Sequence, residues 1–136
     1  MGESIHLLPM KTLTKPIFEF EINTPPAMNE IIKEARGNVY ASNKTKQEWT
    51  TRVALECRDF PPISYPVVFQ LDFYLSNRRR DPDNLSASKK FILDGIVAAG
   101  VLPSDNFNWV KGFIELYHHE KGSDYVVVQC YKWEGE

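Results

Sequence analysis

Apolar and polar residues alternate over 15–22, with Phe18, Phe20 and Ile22 on one side and Ile17, Glu19 and Glu21 on the other, the period of a half-buried strand. Asn23-Thr24-Pro25-Pro26 interrupts that pattern, and a short helix is expected over 27–35. Arg36-Gly37-Asn38 closes it, with Gly37 able to take the left-handed cap conformation. Val39-Tyr40 reads as a brief extended step. From Ser42 the recurrence of Trp49, Val53 and Cys57 is helical, with Ser42 or Asn43 as cap and Pro61-Pro62 as stop. The run 65–75, dense in Val, Phe and Tyr, is the clearest strand. A charged turn over 78–83 separates it from a helix over 84–99, whose Leu85, Ile92, Ile96 and Ala99 share one side and whose stop signal is Gly100. Residues 101–107 read as a loop, and 109–118 and 125–133 as two strands around a turn at 120–123.

This order predicts an α+β fold: one compact domain over 15–134, preceded by a flexible segment 1–14, with a mixed sheet of about four strands packed with two to three helices. A chain of 136 residues normally builds a single core. Sixteen Lys and Arg against 18 Asp and Glu leave a formal charge of −2, so a polyanion would have to be attracted by local clustering of cations. No apolar run approaches the ~20 residues of a membrane span, and the first ten residues lack a secretory pattern. Cys57 and Cys130 have neither redox nor zinc spacing and read as small buried side chains. The expectation is a cytoplasmic protein with no membrane partner.

Charged chemistry concentrates between Arg78 and Asp105. Asp81 and Asp83, two residues apart at the end of a strand, can aim both carboxylates into one site if Pro82 holds an extended turn. Such crowding is tolerable around a divalent cation, and hard oxygen ligands suit Mg²⁺ or Mn²⁺. The structural alternative makes Asp81 a solvated turn residue and Asp83 a helix N-cap. Arg78, Arg79 and Arg80 precede the pair and Lys89 and Lys90 follow, five cations to two anions in a chain that is otherwise acidic. A phosphodiester requires that combination of neutralisation and positioning. An EF-hand is excluded, because Leu85 and Ser86 stand where that loop needs an oxygen ligand and a glycine. Asp94 is four residues from Lys90 and reads as an ion-pair or buried hydrogen-bonding partner rather than a catalytic group. His118 and His119 adjoin a hairpin turn and face opposite ways, so solvent-facing roles are expected. Trp49, Trp109 and Trp133 read as core.

The segment Arg79-Arg80-Asp81-Pro82-Asp83-Asn84-Leu85, followed by Lys90, Asp94-Gly95, Ala99-Gly100-Val101 and Asp105, resembles the RusA-type Holliday junction resolvases. Their signature is an Arg-rich turn, Asp-x-Asp-Asn, a Lys-bearing helix ending in Ala-Gly, and an acidic residue just beyond. Pro25-Pro26, Asn29, Tyr40 and the helix bearing Trp49 are similar to the family's N-terminal half, so the resemblance runs from about Phe18 to Tyr131. It implies a metal-binding triad of Asp81, Asp83 and Asp105, an essential basic residue at Lys90, and supporting roles for Asn84 and Arg80. It also implies a bacterial or phage-encoded homodimer that uses Mg²⁺, with Mn²⁺ as substitute, to cut four-way junctions in DNA recombination and repair. Arg78, Arg79, Arg80, Asn84 and Lys89 would contact DNA. Two features depart from the pattern. The stretch from Asp83 to Asp94 is longer by about one helical turn, which leaves Lys89 as an alternative to Lys90, and Ser104 replaces a second acidic residue. The apolar side of the 126–131 strand or the second helix is the expected dimer interface. The competing expectation is a non-catalytic branched-DNA-binding protein on the same scaffold.

Overall fold

The computed structural model describes residues 15–135 apart from Ala27, Asn38, Arg80 and Ser123; the side chains of residues 28, 29, 31, 34, 35 and 39–42 also lie outside the description. The expected flexible segment 1–14, and the side chains of Asn29 and Tyr40, therefore fall outside the described residues. The elements run β1 (Phe18–Asn23), α1 (Met28–Gly37), α2 (Val39–Cys57), β2 (Val67–Leu75), α3 (Pro82–Ser86), α4 (Lys89–Ala98), β3 (Val110–His119) and β4 (Tyr125–Lys132). The fold is α+β, with a four-stranded mixed sheet in the order β1-β4-β2-β3.

β1 and β4 pair antiparallel, β4 and β2 antiparallel, and β2 and β3 parallel. The alternation in the sequence decides which face is inward. Phe18, Phe20, Phe69, Leu71, Phe73, Val126, Val128 and Cys130 point to one side and are buried with Val53 and Cys57 of α2 and Ile92 and Ile96 of α4. Each large side chain removed from water in this way contributes about 1.5–3 kcal/mol before the entropy of ordering is charged. Both thiols lie in this core. Burial pushes Cys57 up to about 12 and Cys130 higher still, which keeps them protonated and unreactive.

Several expectations are corrected. Val39 and Tyr40 open α2 instead of forming an extended step, and Gly37 ends α1 without positive φ. The 84–99 helix is two helices. Ser88 is buried and its hydroxyl donates to the Leu85 carbonyl at 2.7 Å, while its own N–H also turns back to Leu85. This local hydrogen bonding competes with the helical ladder and breaks it between Ser86 and Lys89. β3 and β4 do not form a hairpin, because β2 lies between them. Their connection crosses the end of β2, a span of two strand spacings or ~10 Å that five residues easily cover. Glu120 N–H donates to the Leu75 carbonyl there, and Ser76 N–H to Asp124 Oδ1. The apolar side of β4, proposed for dimer contact, is occupied by the core of the same chain.

Gly100 is the stop the sequence indicates. With φ of 79° it follows α4, its N–H bonding to Val97 and that of Val101 to Ile96, the paired pattern that satisfies the last helical carbonyls. Gly95 has a different role. A Cβ at this position would drive into the Val53 side chain and the Thr50 carbonyl, so the absence of one lets α4 lie directly on α2. No described helix is long and apolar enough to cross a membrane.

Candidate functional site

The acidic turn sits at the C-terminal end of β2, where a parallel crossover to β3 begins. Asn77 Oδ1 accepts the Arg79 N–H at 2.9 Å, a side-chain turn that fixes the exit from the strand and leaves Arg78 and Arg79 exposed. Arg80 lies outside the described residues. Asp81 is the N-cap of α3, with φ −84° and ψ 129°, and Pro82 at the first helical position has no N–H to leave unsatisfied. The cap is made by the backbone: the Asp81 carbonyl receives the N–H groups of Asn84 and Leu85, both at 3.1 Å, and its carboxylate makes no cap hydrogen bond. Asp83 is inside the first turn, not at the cap, and its Oδ1 accepts the Asn84 N–H at 3.0 Å. Both aspartates are exposed, and among the described residues neither is in an ion pair. Asn84 is half-buried behind them.

β3 anchors this turn. Tyr117 Oη stands 2.8 Å from Glu115 Oε1 and 3.3 Å from the Pro82 carbonyl, so its hydroxyl ties the turn to the strand. Glu115 Oε2 accepts Lys89 Nζ at 2.6 Å and Ser86 Oγ at 3.4 Å. Lys89 Nζ also lies 4.5 Å from the centre of the Phe113 ring. Burial acts to raise the Glu115 pKa, but the hydrogen bonds from Lys89, Tyr117 and Ser86 outweigh it and hold the carboxyl below its ordinary value. Burial pushes the Tyr117 hydroxyl up, and the Glu115 hydrogen bond and the negative charges of Glu115 and Asp83 push it further.

Lys90 faces elsewhere. Its Nζ lies 3.1 Å from Asp94 Oδ1 and 3.7 Å from Asp105 Oδ2, and its side chain is 70% exposed against 26% for Lys89. The hydrogen bond and charge of Asp94, with a smaller contribution from Asp105, raise its pKa, so it is a fixed cation. These three residues line an open cleft of about 540 Å³ between α2 and α4, completed by Thr50, Pro103 and Ser104.

The contacts of the sequence candidates fall into two local settings. Asp81, Asp83 and Asn84 share the turn after β2, with Arg78 and Arg79 just before it; Lys90 and Asp105 share the cleft with Asp94, which is the i,i+4 ion-pair partner anticipated. Lys89 belongs to the brace beneath the turn. The carboxylates suit Mg²⁺ chemically, as hard oxygen donors. Geometrically, no three His, Cys, Asp or Glu among the described residues are gathered as a metal-holding group.

Glu115 and Tyr117 were missed by the sequence reading. Their signal is an acidic residue between Phe113 and Tyr117 on one side of a strand, the side that faces the core, where a charge demands a partner. His118 is not simply solvent-facing: it lies on the helix-free side of the sheet with Nε2 2.8 Å from Asp72 Oδ1, stacked on Tyr74. His119 Nε2 is 3.3 Å from the Ser76 carbonyl, so the two rings do not converge on one ligand. No protein-family model matches the chain, and no curated protein matches it.

Proposed function

We propose that the chain is a RusA-type, Mg²⁺-dependent endonuclease that acts on branched DNA, chiefly four-way junctions, as a homodimer. The observation that supports this reading best is the placement of Lys90, an exposed cation beside Asp105 in an open cleft while its neighbour Lys89 is committed to the scaffold. Mg²⁺ commonly binds through one or two carboxylates together with substrate phosphates instead of a complete protein cage, so its use does not require three gathered acidic residues. When bound with DNA, the metal would activate water and neutralise charge at the phosphate. Asp81 and Asp83 would supply donor oxygens from the turn, and Asp105 from the cleft. Lys90 would carry positive charge to the phosphoryl group, and Arg78, Arg79 and Arg80 would hold adjoining backbone phosphates without reading bases. Two symmetric cuts require two sites, hence a two-fold dimer.

The non-catalytic alternative draws on the same cleft. Lys90 already neutralises Asp94 and Asp105, an arrangement that serves a binding protein equally well. An end-labelled synthetic junction and a linear duplex incubated with the purified protein and Mg²⁺ separate the two. The nuclease reading expects paired cuts near the branch point of the junction only, abolished by EDTA and restored by Mn²⁺. Binding without any cut under Mg²⁺ or Mn²⁺ across a range of pH would favour the binding protein.

A further inference from the structure

Phe107 is 79% exposed, the most exposed of the large apolar side chains among the described residues, and it stands two positions from Asp105. The segment that carries it is braced. Asn106 N–H donates to Ser104 Oγ at 3.2 Å, Asn108 N–H to Asn106 Oδ1 at 3.0 Å, and the N–H groups of Trp109 and Val110 to the Asn106 carbonyl at 3.0 and 2.9 Å. The buried Leu102 on one side, and Trp109 and Val110 on the other, fasten the turn to the core. An aromatic ring is thus presented to water on a preorganised tip beside the cleft that holds Lys90 and Asp105.

We infer that Phe107 is a stacking wedge for an unpaired or splayed base at a DNA branch point. This rests on the nuclease reading and names the feature of the substrate that the site selects. The surroundings favour a base over a protein partner. Along the turn Pro103, Asp105, Asn106 and Asn108 are all exposed and three of them are polar, and Phe107 is the one exposed large apolar side chain over the described residues 101–110. A specific protein interface needs on the order of 800 Å² per partner with an apolar centre. A single base offers a π-face of matching size, and Phe is among the side chains that enter or cap opened base steps. Bases in continuous duplex are stacked on both faces, whereas the branch-point pairs of a junction that the protein holds open expose one face. Stacking by Phe107 therefore discriminates branched from linear DNA without reading sequence.

The test is anisotropy binding of wild type, Phe107→Ala and Phe107→Trp in Ca²⁺ without Mg²⁺, against an immobile four-way junction, a linear duplex, and the same junction with abasic nucleotides at its branch point. Phe107→Ala is expected to weaken junction binding about tenfold or more, the scale of losing one stacked base. Duplex affinity should stay within twofold, and Phe107→Trp should bind like wild type. On the abasic junction, wild type and Phe107→Ala should bind alike, because the partner of the ring is gone. Equal junction affinities for wild type and Phe107→Ala overturn the inference, as does a loss of the same size on duplex or on the abasic junction. Cleavage with Mg²⁺, run in parallel, keeps the two ideas apart. Junction cutting with Phe107 immaterial to affinity sinks the wedge alone; Phe107-dependent selectivity with no cutting sinks the nuclease alone; no junction binding sinks both.

Discussion

Lys89 and Lys90 are consecutive at the start of α4, yet the first is turned toward the sheet and clamped by Glu115 at 2.6 Å, and the second reaches across an open cleft to Asp94 and Asp105. One helical step rotates the side chain by about 100°, enough to send one ammonium into the brace under the turn and the other into the cleft. The two regions also differ in what holds them. On the sheet side Glu115, Tyr117, Ser86 and the Phe113 ring form a half-buried network that fixes the Asp81-Pro82-Asp83 turn. On the cleft side, among the described residues, two largely exposed ion pairs, to Asp94 and Asp105, restrain Lys90, and exposed pairs contribute little to stability. Stability should therefore depend on the first lysine and activity on the second.

The sharpest way to break that division is Lys90→Ala. Junction cleavage should fall about 10²–10³-fold, the scale of removing one preorganised charge partner at a transition state, while the melting temperature stays essentially unchanged. A large loss of stability with cleavage intact would reverse the roles of the two lysines. Next in size is Gly95→Ala, which acts on both regions at once by separating α4 from α2. Overpacking of this kind costs about 1–3 kcal/mol, measurable as a lower urea midpoint at unchanged slope.

On the sheet side, Lys89→Met should cost about 1–2 kcal/mol, since it leaves the Glu115 carboxylate short of a charged partner. Cleavage by the folded variant should remain within a few-fold of wild type. The smallest effect is a pH dependence. Because the Glu115 pKa is depressed in the folded protein, its charged form stabilises the fold above the ordinary value of 4.5, and that contribution is lost as pH falls through the lower folded value. Urea midpoints of wild type and Glu115→Gln should thus differ more at pH 7 than at pH 3. A constant difference across that range would remove the charged Glu115 from the brace.

Much of this arrangement is legible in the sequence because it is local. Alternation in Phe18-Glu19-Phe20 and the density of Val, Phe and Tyr in the 65–75 run mark the strands that form, Gly100 marks the end of α4, and the cluster from Arg78 to Asp83 marks a charged turn. What was not legible depends on long-range placement. A five-residue link between strands reads as a hairpin, and only the parallel crossover that brings β3 beside β2 forces that link over the end of β2 to reach β4. The same crossover puts Glu115 under Ser86 and Lys89, residues 29 and 26 positions away. The break at Ser88 was hidden because serine is compatible with helix, and only its burial turns the hydroxyl inward onto Leu85. The direction of Lys90 was open for a related reason: without that break, the rotation of α4 relative to the acidic turn is undefined.

The central claim, that these carboxylates serve phosphodiester cleavage, is tested most directly by single-turnover cutting of an end-labelled four-way junction under Mg²⁺. Wild type is compared with Asp81→Asn, Asp83→Asn and Asp105→Asn, and each protein's junction affinity is measured alongside in Ca²⁺. The account predicts paired cuts by wild type, loss of cutting in all three variants, and junction affinity close to wild type in each, because phosphate attraction rests on the cations. Wild-type protein that leaves the junction whole, or any one of the three variants cutting at the wild-type rate, would contradict it.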